Sequence, residues 1–147
     1  MDAKRSMTLS IFSPKRSGII GTFLVFSTCF LAAQNYNLPL WDPGKVPLAQ
    51  GDGPLDNPLL TVFLPSEDQR NGSAVIIAPG GSNIMLMYGA EGIEIAERFN
   101  QWGTAAFVLT YRMAPTYGHD ARVLDGNRAI RLVRSKSEEW GLDPERI

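Results

Sequence analysis

From residue 59 onward, short continuous apolar runs alternate with stretches in which apolar residues recur every three or four positions. The first run, LLTVFLP (Leu59 to Pro65), is β-branched and closed by a proline, and predicts a strand. A polar turn, SEDQRNGS, follows, and its Asn71-Gly72 step favours a hairpin connection. AVIIAP (Ala74 to Pro79) is almost wholly apolar, as expected of a strand buried on both faces. The glycine-rich stretch GGSNIMLMYGAEG then leads to a predicted helix from about Glu91 to Trp102. In that helix Ile95, Phe99 and Trp102 recur at helical spacing, as do Gly92 and Ala96, and Gly103 is a natural stop. TAAFVLTYR (Thr104 to Arg112) predicts another buried strand. The loop MAPTYGH precedes a second helix, expected from about Asp120 to Trp140, with Asp120 as N-cap and Gly141 at its end. Val123, Ile130 and Val133 share one face of it, with Gly126 beside them. DPERI turns the chain toward an expected third buried strand. Strand, helix, strand, helix, strand is a βαβ series, so the expected class is α/β with a mostly parallel sheet.

The first 58 residues read differently. Lys4, Arg5, Lys15 and Arg16 precede an apolar run from Ile19 to Ala33 that closes on two alanines. This is the layout of a secretory signal peptide. The run is about 15 residues long, short of the roughly 20 that span a bilayer. Residues 1–33 are therefore expected to be removed, leaving a protein that starts near Gln34, secreted or periplasmic, without stable membrane association. Phe26-Ser27-Thr28 before Cys29 fits a lipoprotein site poorly. Cys29 is the one cysteine, so the mature chain would have no thiol for a disulfide, a nucleophile or a zinc site. Residues 34–58 are rich in Pro, Gly, Asn and Asp and predict an extended, turn-rich segment leading into the domain of residues 59–147. Trp41 within it is expected to pack rather than to bind a ligand.

Composition narrows the function classes. At 44% hydrophobic and 20% charged residues the chain is of ordinary globular type. Its 147 residues allow one domain of modest size. Loss of residues 1–33 would take four of the 14 basic residues and one of the 15 acidic ones, moving the net charge from -1 to -4. No basic field is left to attract nucleic acid. Arg122, Arg128, Arg131, Arg134 and Lys136 are offset by Glu138, Glu139, Asp143 and Glu145 and read as a solvated helix surface.

Candidate chemistry centres on the strand, Gly-Gly loop and helix of residues 74–102. Such a turn can cradle a phosphate with backbone N–H groups, hold the oxyanion of an acyl-transfer intermediate, or be only a tight turn. Neither G-x-G-x-x-G nor a P-loop lysine is present.

Several pieces in order, GPLDNPLLTVFLP, AVIIAPGGSN and YGAEGIEIAERFNQWGTAAFVLTYRMAPTYGHDARVLDGNRAIRLVRSKSEEWGLDPERI, resemble the α/β-hydrolase fold. More narrowly they are similar to secreted bacterial esterase-like hydrolases, a group often labelled acetyl xylan esterase or, loosely, xylanase. The resemblance covers about residues 53–147. In that family the loop after the third strand usually carries three glycines. Here Pro79, Gly80 and Gly81 match and Ser82 replaces the last glycine. The resemblance implies that the backbone N–H groups of Gly81 and Ser82 are oxyanion-hole donors, with Pro79, Gly80 and Asn83 supporting the loop. If Ser82 needs a positive φ, its Cβ strains the turn. Asn83 stands where an aromatic residue is common, and Ala90 where a histidine often precedes Glu-Gly, here Glu91-Gly92.

Tyr111-Arg112, Ala114-Pro115, Asp125 and RAIRLVR also match the family pattern. Their implied role is structural, with Arg112 pairing with Asp125 or Glu91. His119, the one histidine, falls in a loop of the resemblance and not at the catalytic position. The G-x-S-x-G elbow, the acid and the catalytic histidine would all lie beyond Ile147, so no catalytic residue is expected in this chain. No metal or organic cofactor is implied. The implied substrate of the full-length protein is a small ester or an acetylated carbohydrate. A serine peptidase of the same fold and a truncated, non-catalytic product or interaction fragment stay open as alternatives.

Overall fold

The computed structural model describes residues 35–147, so the signal-peptide expectation and Cys29 lie outside the described residues. Four strands form one sheet in the order β1-β2-β4-β3: β1 Tyr36–Pro39, β2 Leu59–Phe63, β3 Ala74–Ile77 and β4 Ala105–Thr110. The pair β3–β4 is parallel, with Ile76 opposite Phe107, and is joined by the helical segment between them, as a βαβ unit requires. The pairs β1–β2 and β2–β4 are antiparallel, so the described sheet is mixed.

Side chains alternate across this sheet with the period of two that a pleated strand imposes. On one face Leu60, Phe107 and Leu109 pack with Leu40, Trp140 and Leu142 and with Ala129 and Val133 of α2 (His119–Ser135). Phe107 and Trp140 stack with ring centroids 4.9 Å apart. On the other face Phe63, Ala106 and Val108 meet Ala96 of α1 (Glu94–Gln101) and the π-helical turn Tyr88–Ile93 that leads into it. Helices cover both faces, the layering of an α/β domain. Trp41 packs against the first cluster as expected, with the Arg128 guanidinium 5.1 Å from its ring centre.

Several local expectations are corrected. The segment 34–58 contains a strand, β1, which adds to the edge of β2 with Asn37 opposite Thr61. Its proline and polar residues hid it, because an edge strand tolerates both. The Asn71-Gly72 step is not a hairpin turn between β2 and β3, since β4 lies between them. Gly72 does take the positive φ of 80° that suits the turn. Asn71 instead hydrogen-bonds the turn before β4, its N–H to Gly103 O at 2.9 Å and its side-chain amide to Trp102 O at 2.9 Å. β3 is only partly covered, because it is the outer strand of the described sheet.

Of the stripe Ile95, Phe99 and Trp102, only Phe99 packs against the second cluster: Ile95 and Trp102 are 42% and 63% exposed. Gly92 and Ala96 face the sheet instead. A Cβ on Gly92 would lie 2.8 Å from Val108 Cγ1, so small residues let this segment sit close to β4. In α2 the buried row is Ala121, Asp125, Ala129 and Val133, while Val123 and Ile130 are exposed. The N-cap is Gly118, and Asp120 lies within the first turn. The expected single helix to Trp140 breaks at Lys136, and α3 is the short turn Ser137–Trp140. Residues 143–147 form no strand. They dock beside the start of β3 through Asp143 N–H to Gly72 O (2.8 Å) and Ala74 N–H to Arg146 O (2.9 Å).

Candidate active site

Because β3 and β4 run parallel, both release their C-terminal loops at the same end of the sheet, where α/β folds bind ligands. The loop after β3 holds every residue named from the glycine motif. Pro79 is fully buried and anchors its start. Gly81, Ser82 and Asn83 follow with φ of 136°, 57° and 62°, three positive values in succession. They fold the chain into a tight turn in which Ile84 and Met85 N–H both donate to Gly81 O at 3.2 Å. Only glycine fits at 81, since a Cβ there would lie 2.2 Å from Met85 O. Ser82 does adopt the positive φ, and so carries the strain its Cβ implies.

The loop's polar groups can be accounted for one by one. Gly80 N–H donates to the Glu91 carboxylate at 2.7 Å, and Gly80 O accepts from Met87 N–H at 2.9 Å. Asn83 O accepts from Ala114 N–H at 2.9 Å. The N–H groups of Gly81 and Ser82 donate to nothing among the described residues. Two adjacent donors are thus left free at the C-terminal end of β3.

The loop after β4 braces this turn. The Tyr111 hydroxyl donates to Pro79 O at 2.8 Å, linking the two strand ends. Arg112, fully buried, forms a two-pronged pair with the equally buried Asp125 of α2: Nη2 to Oδ1 at 2.7 Å and Nε to Oδ2 at 3.0 Å. Of the two partners considered for Arg112, Asp125 holds it and Glu91 is taken by the glycine loop. Arg112 also donates to Pro47 O at 2.5 Å and lies 5.0 Å from the ring centre of Tyr117. Tyr117 completes the brace. Its hydroxyl donates to Asp56 and accepts from Gln50 N–H at 3.0 Å. Burial, reinforced by the Asp56 hydrogen bond, pushes this phenol above its ordinary pKa.

A pocket of about 280 Å³ opens between these segments, with Leu55, Ile84, Met113 and Pro115 as apolar walls and Tyr111 and Tyr117 beside them. His119, exposed at the start of α2, borders a separate shallow cavity with Asn83, Tyr111 and Arg122. Among the described residues no cluster of three or more His, Cys, Asp or Glu side chains could hold a metal ion. The sequence reading gave Tyr111 a structural role without its partner Pro79, and missed Tyr117 and Asp56 as braces and Glu91 as a loop partner. For Glu91 a signal existed: an acid in the first turn of a helix that follows a glycine loop reaches back to unpaired amides, as in a capping box.

No family model matches the chain. It is 29% identical over 115 residues to the acetylxylan esterase of Xylanibacter ruminicola, across 78% of this chain and 21% of that protein. The acetyl ester-xyloside bifunctional hydrolase of Caldicellulosiruptor lactoaceticus is 34% identical, with a TM-score of 0.71 over 80% of this chain and 42% of its own. An alpha/beta hydrolase from a Medee basin deep-sea metagenome shares the fold at 18% identity, with a TM-score of 0.62 over 80% of this chain and 46% of its own. The chain thus spans about a fifth of the curated relative and less than half of each of these structures.

Proposed function

From a chain that carries part of an α/β-hydrolase fold and resembles esterases of that fold, we infer that it supplies the oxyanion-binding portion of an exported serine carboxylester hydrolase. The reaction is acyl transfer to a serine followed by hydrolysis, and the favoured substrate is an acetyl ester on a plant polysaccharide such as xylan. One observation carries this reading: the free N–H groups of Gly81 and Ser82 at the C-terminal end of β3. Preorganised donors aimed at a developing oxyanion are the largest single term in such catalysis. The substrate assignment draws on the acetylxylan esterase and the acetyl ester-xyloside hydrolase, both of which resemble this chain. The serine, the acid and the histidine of the triad are contributed by residues outside this sequence. Export rests on the charge and apolar pattern of residues 1–33.

The test compares two polypeptides. Purified residues 34–147 should neither hydrolyse 4-nitrophenyl acetate above a heat-treated control nor take up a fluorophosphonate probe. A chain extended to include a G-x-S-x-G elbow and the residues after it should do both. Stoichiometric labelling of Ser66, Ser73, Ser82, Ser135 or Ser137 in the short chain would overturn the assignment. For export, N-terminal sequencing of secreted material should begin at or near Gln34, and material that retains Met1 would refute it.

A further inference from the structure

We propose that Glu91 is a positioning residue for the glycine loop, holding Gly80 so that Gly81 and Ser82 remain the two free donors. This rests on the oxyanion reading of that loop. Three consecutive amides, those of residues 80–82, leave the end of β3, and any of them could turn toward a developing negative charge. Glu91 takes the first: its Oε2 accepts from Gly80 N–H at 2.7 Å. The same carboxylate occupies the space a side chain at 80 would need, since a Cβ there would lie 2.8 Å from Oε2. Glu91 is itself fixed from below. Its own N–H donates to Met87 O at 2.8 Å, and Met87 N–H donates to Gly80 O at 2.9 Å. The loop is thereby closed end to end, from Gly80 through Met87 to Glu91. Glu91 is exposed, so its bond to Gly80 adds little to the stability of the fold. Its consequence is the orientation of the next two peptide groups.

The expected signature separates position from stability. Glutamine keeps the acceptor oxygen without the charge, and alanine removes both. In the hydrolytically active protein, Glu91→Ala should lower kcat for 4-nitrophenyl acetate about 10- to 100-fold, the scale of a loop misplaced by about 1 Å, with KM within about threefold. Glu91→Gln should restore kcat to within about threefold of the parent. Gly80→Ala, whose Cβ displaces the carboxylate, should behave like Glu91→Ala. On the 147-residue chain, amide exchange should be slower at Gly80 than at Gly81 and Ser82 in the parent and in Glu91→Gln. It should be equally fast at all three in Glu91→Ala. Fast exchange at Gly80 in the parent would overturn the proposal, whatever the activity. So would an Glu91→Ala enzyme that keeps kcat within threefold, or a Glu91→Gln enzyme as impaired as Glu91→Ala. An extended protein that carries the elbow yet cleaves no ester would instead refute the esterase reading, with the Gly80 amide still reporting whether the clamp exists.

Discussion

Ser82 sits at φ 57° in a turn whose preceding residue is glycine and whose following residue, Asn83, also has φ above zero. A residue with a Cβ gives up about 1–2 kcal/mol in this region relative to the extended or right-handed ones. Ser82→Gly should therefore stabilise the fold by about 1 kcal/mol, less whatever glycine loses through its freer unfolded chain, measured as the shift of a urea midpoint. A null or negative shift would mean that the serine hydroxyl holds the turn. Gly81 cannot be probed in the same way with a bulky residue. Valine there would meet Met85 O, so Gly81→Val should break the turn and not merely empty an oxyanion hole. Arg112 and Asp125 raise a different residue-scale question, because both are completely buried and bonded to each other. Removing one partner strands a buried charge, which costs about 3–5 kcal/mol. Asp125→Ala should lose that much in denaturant melts, while Arg112→Met combined with Asp125→Leu should lose far less than the sum of the single changes.

For whole elements, the sequence pattern placed helices and strands well and their faces less well. The α2 stripe of Val123, Ile130 and Val133 was legible as helical, but only Val133 of the three is buried. The true buried row runs every four residues through Ala121, Asp125, Ala129 and Val133. A carboxylate among three small or β-branched residues does not look like a core position until Arg112 is brought to it. The corrected face can be tested with matched truncations. Val133→Ala should cost about 2 kcal/mol, since it opens a cavity against the sheet, and Ile130→Ala no more than about 0.5 kcal/mol, as at an exposed site. Equal losses would restore the face expected from periodicity. α1 follows the same logic: Gly92 and Ala96, which recur at helical spacing beside the aromatic stripe, are what lets this segment approach Val108.

For the molecule as a whole, Tyr117 ties the loop after β4, where it lies beside the buried Arg112, to the distant stretch Gln50 to Asp56. Burial first, then the Asp56 hydrogen bond, raises its pKa above the ordinary value of about 10. A raised folded-state pKa means that the folded protein holds the phenol proton more tightly than the unfolded chain does. This stabilisation is complete below pH of about 10 and is lost as pH rises through that value toward the folded pKa. Urea melts between pH 8 and pH 11 should accordingly show a steeper alkaline loss for the parent than for Tyr117→Phe, which starts less stable. Parallel slopes would show that Tyr117 does not titrate with unfolding.

The chain's own pattern determined the α/β class, the βαβ unit around the glycine loop and the place of that loop at the end of a strand. Those features follow from short-range physics: apolar runs of strand length, helical spacing, and glycines where the backbone must turn. The identity of Gly81 and Ser82 as loop residues was likewise readable, because only the residue type and its neighbours were needed. Tertiary structure alone decided the rest. That β4 lies between β2 and β3, that Arg112 takes Asp125 and not Glu91, that Glu91 turns to Gly80 and that Tyr117 reaches back to Asp56 all depend on contacts between residues 11 to 61 positions apart. Periodicity carries no information over such separations. A polar side chain chooses its partner by which groups folding leaves unbonded nearby, and that is settled only when the layers close.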